Sequence, residues 1–216
     1  EFNVVVPTGN FGNILAAFYA KNMGVPIDRL ICASNSNNIL TDFIKTGVYD
    51  IRRDFYRTIS PSMDILISSN LERLLFELCG RQDHRIREWM TELKDTGKYC
   101  LDGESLNMLQ STLWGGSADE EQTLKAIRDT YRKHNYIIDP HTAVGKWVHD
   151  RYVEETGDTK KTILVSTASP FKFPKDVLKA VIGMESIQDR DDFQILEELA
   201  SVSGEDIPPG LMELKD

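Results

Sequence analysis

Apolar residues come first in short unbroken runs and later at helical spacing. Val4-Val5-Val6 is an unbroken apolar run, and Phe2–Val6 predicts a buried strand. A glycine-bearing turn, Pro7-Thr8-Gly9-Asn10-Phe11-Gly12-Asn13, follows it, and Ile14–Met23 predicts a helix closed by Gly24 and Pro26. Arg29–Ala33 predicts the next strand. This strand–helix–strand order implies a parallel crossover, and so an α/β fold with an open, mostly parallel sheet flanked by helices. Further helices are predicted over Ile39–Thr46, Leu71–Leu78, His84–Lys94, Asp119–His134, Ala143–Glu155 and Pro174–Ile182, and a buried strand over Thr162–Ser166. Residues 48–70 carry no clear period and hold a polar loop, Ser60-Pro61-Ser62-Met63-Asp64. Residues 99–118 are ambiguous, and Gly115-Gly116 predicts a break. Beyond Ser186 the chain is acidic. Glu197-Glu198 beside Leu196 and Leu199 predicts a surface helix, and Pro208-Pro209-Gly210 a loosely held end.

The chain has 216 residues, enough to bury a sizeable core. Its formal charge of -9 argues against general nucleic-acid binding, which wants a basic face, and against an anionic membrane surface. No apolar stretch approaches the roughly 18–20 residues of a membrane span. Cys32, Cys79 and Cys100 show neither paired spacing nor Cys/His ligand spacing, so no disulfide framework or metal site is expected, and reduced thiols point to the cytoplasm. The chain opens at Glu1-Phe2 directly into a strand, which predicts that an N-terminal part of the sheet lies elsewhere.

The glycine turn is the first candidate for chemistry. A helix N-terminus offers unpaired N–H groups and the positive end of a dipole, which suits a phosphate. Gly9 and Gly12 leave room for a close backbone approach, and Asn10 and Asn13 add amide donors. Two other segments would reach the same carboxyl end of a parallel sheet: Asp139-Pro140-His141-Thr142, and Thr167-Ala168-Ser169-Pro170 after an apolar strand.

Five motifs in order now make the pattern specific. The glycine turn is followed by Ala33-Ser34-Asn35-Ser36-Asn37. Next come Ser60-Pro61-Ser62-Met63-Asp64-Ile65 with Ser69-Asn70-Leu71-Glu72-Arg73, then Asp139-Pro140-His141-Thr142-Ala143-Val144, then Thr167-Ala168-Ser169-Pro170-Phe171-Lys172-Phe173. Over residues 2–183 the chain resembles the C-terminal portion of threonine synthases, pyridoxal-phosphate enzymes of the tryptophan-synthase-β type (fold type II). The resemblance implies a partial fold of that type with additional helices. It implies pyridoxal 5'-phosphate as cofactor, its phosphate held by Gly9, Asn10, Phe11, Gly12 and Asn13. Thr167 matches the residue that meets the ring nitrogen, and Asp139 lies near the cofactor. It also implies the conversion of O-phosphohomoserine and water to threonine and phosphate, with Asn35, Asn37, Ser62 and His141 as substrate-side candidates. The family's Schiff-base lysine lies in an N-terminal motif that no lysine here matches, so no catalytic residue is assigned and the missing N-terminal part is the expected partner. Residues 1–183 would form the catalytic portion and 184–216 an acidic helix and tail.

Plainer roles stand beside these. Asp139 and His141 also fit a helix cap, Asn35 and Asn37 a turn, and Thr167 a turn residue. Another lyase or dehydratase of the same fold, or a paralogue that binds a phosphorylated ligand without chemistry, fits the glycine turn as well. A dinucleotide site does not, because GxGxxG spacing is missing and no acidic residue ends the Arg29–Ala33 strand.

Overall fold

The computed structural model describes residues 1–183, 187–188 and 190–215. Four parallel strands form the central sheet: β1 (Phe2–Pro7), β2 (Ile27–Ser34), β5 (Leu113–Ser117) and β6 (Thr162–Leu164), in the order β5-β2-β1-β6. The register sets Val6 beside Cys32, Cys32 beside Gly115 and Val5 beside Leu164. Both faces of β1 and β2 are covered, and their central runs Val4–Val6 and Leu30–Ala33 are apolar. The strand expected to be buried over Thr162–Ser166 is instead the short edge strand β6, where Ile163 is half exposed. Val4, Val6, Leu30 and Cys32 face a core built with α1 (Gly12–Asn22), α2 (Ile39–Thr46) and α3 (Leu71–Leu78). Val5, Ile31 and Ala33 face Val144, Val148 and Tyr152 of α7 (Pro140–Thr156). Because the strands are parallel, all four carboxyl ends open at one end of the molecule.

Several elements differ from the sequence reading. Gly115 and Gly116 do not break the chain; they lie within β5, an edge strand. A Cβ on Gly115 would sit 3.2 Å from the Thr41 Cα. One on Gly116 would sit 2.7 Å from the Trp114 ring and 2.9 Å from Val148 Cγ1. The glycines let α2 and α7 press onto opposite faces of one strand, a packing demand that a turn-oriented reading of Gly-Gly misses. The second difference is a small antiparallel pair, β3 (Val48–Asp50) with β4 (Lys98–Cys100), in stretches without a clear period. It carries Tyr49 and Tyr99, stacked 5.3 Å apart with Phe43 edge-on to both. Helix α5 (Gly103–Thr112), capped by Asp102, also lies in the ambiguous stretch, while α4 (Asp83–Thr96) extends the predicted 84–94 helix.

A third core joins α6 (Glu120–His134), α8 (Pro174–Ile182) and α9 (Asp192–Ser203), with Ile127, Leu178, Ile195 and Leu199 buried in it. The acidic C-terminal region is thus anchored by the apolar face of α9. The proposed boundary at 183/184 falls beside residues 184–186, which lie outside the described residues. Among the described residues no helix is long and apolar enough to cross a membrane.

The edge strand β6 is tied in by Asp158. Its carboxylate accepts the Lys160 backbone N–H at 3.0 Å, the Asn3 side-chain amide at 2.9 Å and the Tyr152 hydroxyl at 2.8 Å. These bonds, the Lys160 N–H foremost, hold the Asp158 carboxyl well below the ordinary carboxylate range. A depressed carboxyl contributes stability that is present above its unfolded value, about 3.9, and is lost as pH falls toward the folded value. Asp158→Asn should therefore flatten the loss of urea resistance below about pH 4 relative to the parent. Gly116→Ala should cost about 1–3 kcal/mol by overpacking, read as a lower urea midpoint.

Candidate functional site

At the carboxyl end of the sheet a cavity of about 250 Å³ opens between three loops. It is lined by the stretch from Val6 to Ile14, by Ser62 and Met63, and by His141 and Thr167. Gly9, Asn10, Phe11, Gly12 and Asn13 of the glycine turn therefore meet Ser62, His141 and Thr167 around one space. Asp139, Asn35 and Asn37 are not among the lining residues; they act from behind.

The turn's backbone is unusual at Phe11, which takes the left-handed conformation at φ 64°, ψ 8° immediately before helical Gly12. A left-handed residue followed by a right-handed one gathers successive N–H groups into a concavity suited to an anion. The Phe11 ring is buried in the α1 side of the core, which compensates for a backbone conformation costly outside glycine. No side chain caps α1, so its N-terminal end is left to the cavity.

The two glycines serve different needs. A Cβ on Gly9 would lie 2.5 Å from the Ser62 carbonyl oxygen and 3.3 Å from Met63 Cα, so glycine here lets the Ser60–Asp64 loop close on the turn. A Cβ on Gly12 would meet only Asn70 Nδ2, at 4.0 Å, and Gly12 is not in the left-handed region. Nothing within the protein's own packing demands glycine at position 12. A ligand that touches the backbone there would.

His141 and Ser62 close the next wall. Asp139 caps α7: Oδ1 accepts the His141 N–H at 2.8 Å and lies 2.9 Å from His141 Nδ1, while Oδ2 accepts the Thr142 hydroxyl. On the ring's other side, the Ser62 N–H donates to His141 Nε2 at 3.2 Å. Nε2 thus carries the lone pair, and Nδ1 carries the proton that Asp139 accepts. Of the roles weighed in the sequence, the helix cap is visible at Asp139. Asp139 caps the helix and orients the imidazole, and His141 reaches the cavity. The Thr142 hydroxyl lies 3.2 Å from Ser166 Oγ, joining α7 to the segment that presents the exposed Thr167.

Asn35 and Asn37 are consumed in a buried network. The Asn35 amide donates to Asp64 Oδ1 at 2.7 Å and to Thr58 Oγ1 at 2.8 Å. Its oxygen accepts the Asn37 N–H at 2.9 Å. Asn37 brackets the Tyr56 backbone, accepting its N–H at 3.0 Å and donating to its carbonyl at 2.8 Å. Asp64 also accepts the Thr58 hydroxyl and N–H, at 2.7 and 2.9 Å. Residues 56–64 are folded around Asp64, and that places Ser62. Sequence reasoning gave Asp64 no role, although it stands inside the Ser60–Ile65 motif; no periodicity marks a carboxylate that works as a hub.

A family model described as threonine synthase, C-terminal, matches residues 142–205, running past Gly183 into α9. Threonine synthase-like 1 of Homo sapiens is 45% identical over 180 residues, covering 83% of this chain and 24% of that protein. Threonine synthase of Saccharomyces cerevisiae is 38% identical over 214 residues, covering 92% of this chain and 41% of that protein. The crystal structure of PLP-bound threonine synthase from Brucella melitensis superposes with a TM-score of 0.80 at 34% identity, covering 94% of this chain and 46% of that one. The chain thus spans less than half the length of each. Fold, motif order and these likenesses agree: along most of its length the chain is similar to the C-terminal portion of threonine synthases.

Proposed function

We propose that this chain carries the phosphate-holding side of a pyridoxal-phosphate site that makes threonine and phosphate from O-phosphohomoserine and water. The observation that carries the reading is Gly12, a glycine that no neighbouring atom requires, at the mouth of an anion concavity. Gly9, Asn10, Phe11, Gly12 and Asn13 would hold the cofactor phosphate through backbone N–H groups and the α1 dipole. A chain of net charge -9 thereby binds an anion without a cationic side chain at the cavity. Thr167 would face the ring nitrogen. A hydroxyl there does not force that nitrogen to carry a proton, unlike a carboxylate. When bound, the cofactor supplies the electron sink for carbanions on the substrate.

His141 and Ser62 fit the substrate side. Asp139 fixes the imidazole so that its lone pair faces the Ser62 N–H at the cavity wall. Asn35 and Asn37 would act on substrate through the 56–64 loop that they hold. No lysine lines the cavity, and its volume is below the roughly 300–1,000 Å³ usual for small-molecule sites. Both features support a site completed by the N-terminal portion that the longer relatives possess, which would also supply the Schiff-base lysine. In this reading residues 1–183 form the catalytic portion, 184–216 brace it, and the protein works in the cytoplasm.

A binding-only paralogue is the second reading, which a cavity lined by no lysine also fits. The full-length polypeptide, loaded with pyridoxal phosphate and given O-phosphohomoserine, should release phosphate and threonine in equal amounts. Cofactor binding without threonine would select the paralogue. Gly12→Ala should leave the melting temperature nearly unchanged yet lower pyridoxal-phosphate affinity at least about ten-fold, because its methyl group occupies only the ligand's space. Unchanged affinity would remove Gly12 from the site.

A further inference from the structure

We propose that Ser68 and Asn70 are positioning residues that turn the N–H groups of the glycine turn toward the phosphate by holding its carbonyls from behind, with the Tyr49 hydroxyl locking Ser68 in place. This rests on reading the turn as a phosphate cradle. A peptide unit carries its N–H and C=O on opposite sides, so fixing the direction of a carbonyl fixes the direction of the amide that follows it. The Ser68 hydroxyl donates to the Gly9 carbonyl at 2.7 Å, in a buried position. That carbonyl shares its peptide plane with the Asn10 N–H. The Asn70 side-chain amide donates to the Asn10 carbonyl at 2.7 Å, and the Asn70 backbone N–H reaches the same oxygen at 3.2 Å. That carbonyl shares its plane with the N–H of Phe11, the left-handed residue. Two successive peptide planes of the cradle are therefore set by one short segment, 68–70.

This segment is itself anchored from the small antiparallel sheet. The Tyr49 hydroxyl accepts the Ser68 N–H at 2.9 Å and donates to the Leu66 carbonyl at 3.0 Å. Tyr49 is 2% exposed, stacked on Tyr99 and flanked by Phe43, so its ring has no freedom to follow a moving loop. Burial pushes the Tyr49 phenol up to about 12, so it keeps its proton and both hydrogen bonds across the physiological range. Leu71, which follows Asn70, is buried and starts α3, fixing the far end of the segment. The β3–β4 pair would otherwise be an appendage to the sheet. In this arrangement it is the abutment against which the cradle is set.

The test compares pyridoxal phosphate with pyridoxal, which differs only in lacking the phosphate, on the full-length polypeptide. Titrations of the parent, Ser68→Ala, Asn70→Ala and Tyr49→Phe would be followed by equilibrium binding, with far-UV circular dichroism as a folding check. Ser68→Ala and Asn70→Ala should each reduce pyridoxal-phosphate affinity by about ten-fold and leave pyridoxal affinity unchanged, collapsing the preference between the two. Tyr49→Phe removes one oxygen and keeps the stacked ring. It should reduce the preference in the same direction by a smaller factor. If folded variants keep the parent's preference, or lose affinity for both compounds equally, Ser68 and Asn70 do not set the amides and the proposal fails. A parent protein with no preference for the phosphorylated compound would overturn the phosphate reading itself, before any variant is compared.

Discussion

The proposed anion site, built from backbone alone, imposes one constraint on everything around it: the N–H groups must face the ligand, so the carbonyls of the same peptides must be satisfied elsewhere. This chain is acidic and brings no lysine or arginine to its cavity. The turn from Gly9 to Asn13 therefore depends on the layer behind it. Segment 68–70 accepts that task, and Gly9 lets the Ser60–Asp64 loop come into contact from another side. The left-handed backbone at Phe11 persists because its ring is held in the core below.

The same logic explains why polar residues cluster at this end of the sheet without all touching the cavity. Asp64 gathers Asn35, Asn37 and Thr58. Asp139 gathers His141 and Thr142. Buried polar groups are tolerated when every partner is supplied, and a fully satisfied network is stiff. These two hubs meet at the Ser62–His141 hydrogen bond, so the two loops that wall the cavity are braced against each other. The precision of the site is therefore carried by residues one step removed from it.

Much of this was legible in the residue order. The Val4-Val5-Val6 run marked β1 as buried, and the strand–helix–strand order required parallel pairing. The glycine turn, the Asp139 cap and the Thr167 loop announced themselves by local chemistry, and their order carried the family resemblance. Local rules also misled where a long-range contact decided the outcome. Gly115-Gly116 has the composition of a turn and is a strand, because α2 and α7 approach it from both faces. Tyr49 stands in a stretch with no period, and only the fold places its hydroxyl behind Ser68.

The sequence by itself determined the layered α/β class, the resemblance to threonine synthases, and the three segments that reach one end of the sheet, because these follow from periodicity, cap chemistry and motif order along the chain. The tertiary structure alone decided which polar groups face the cavity and which are spent holding it. Asn35 and Asn37 turned inward to Asp64, His141 kept an edge on the cavity, and Gly12 stood free of any packing demand while Gly9 did not. Such distinctions arise from contacts between residues some 20 to 80 positions apart, and no local pattern of side chains encodes them.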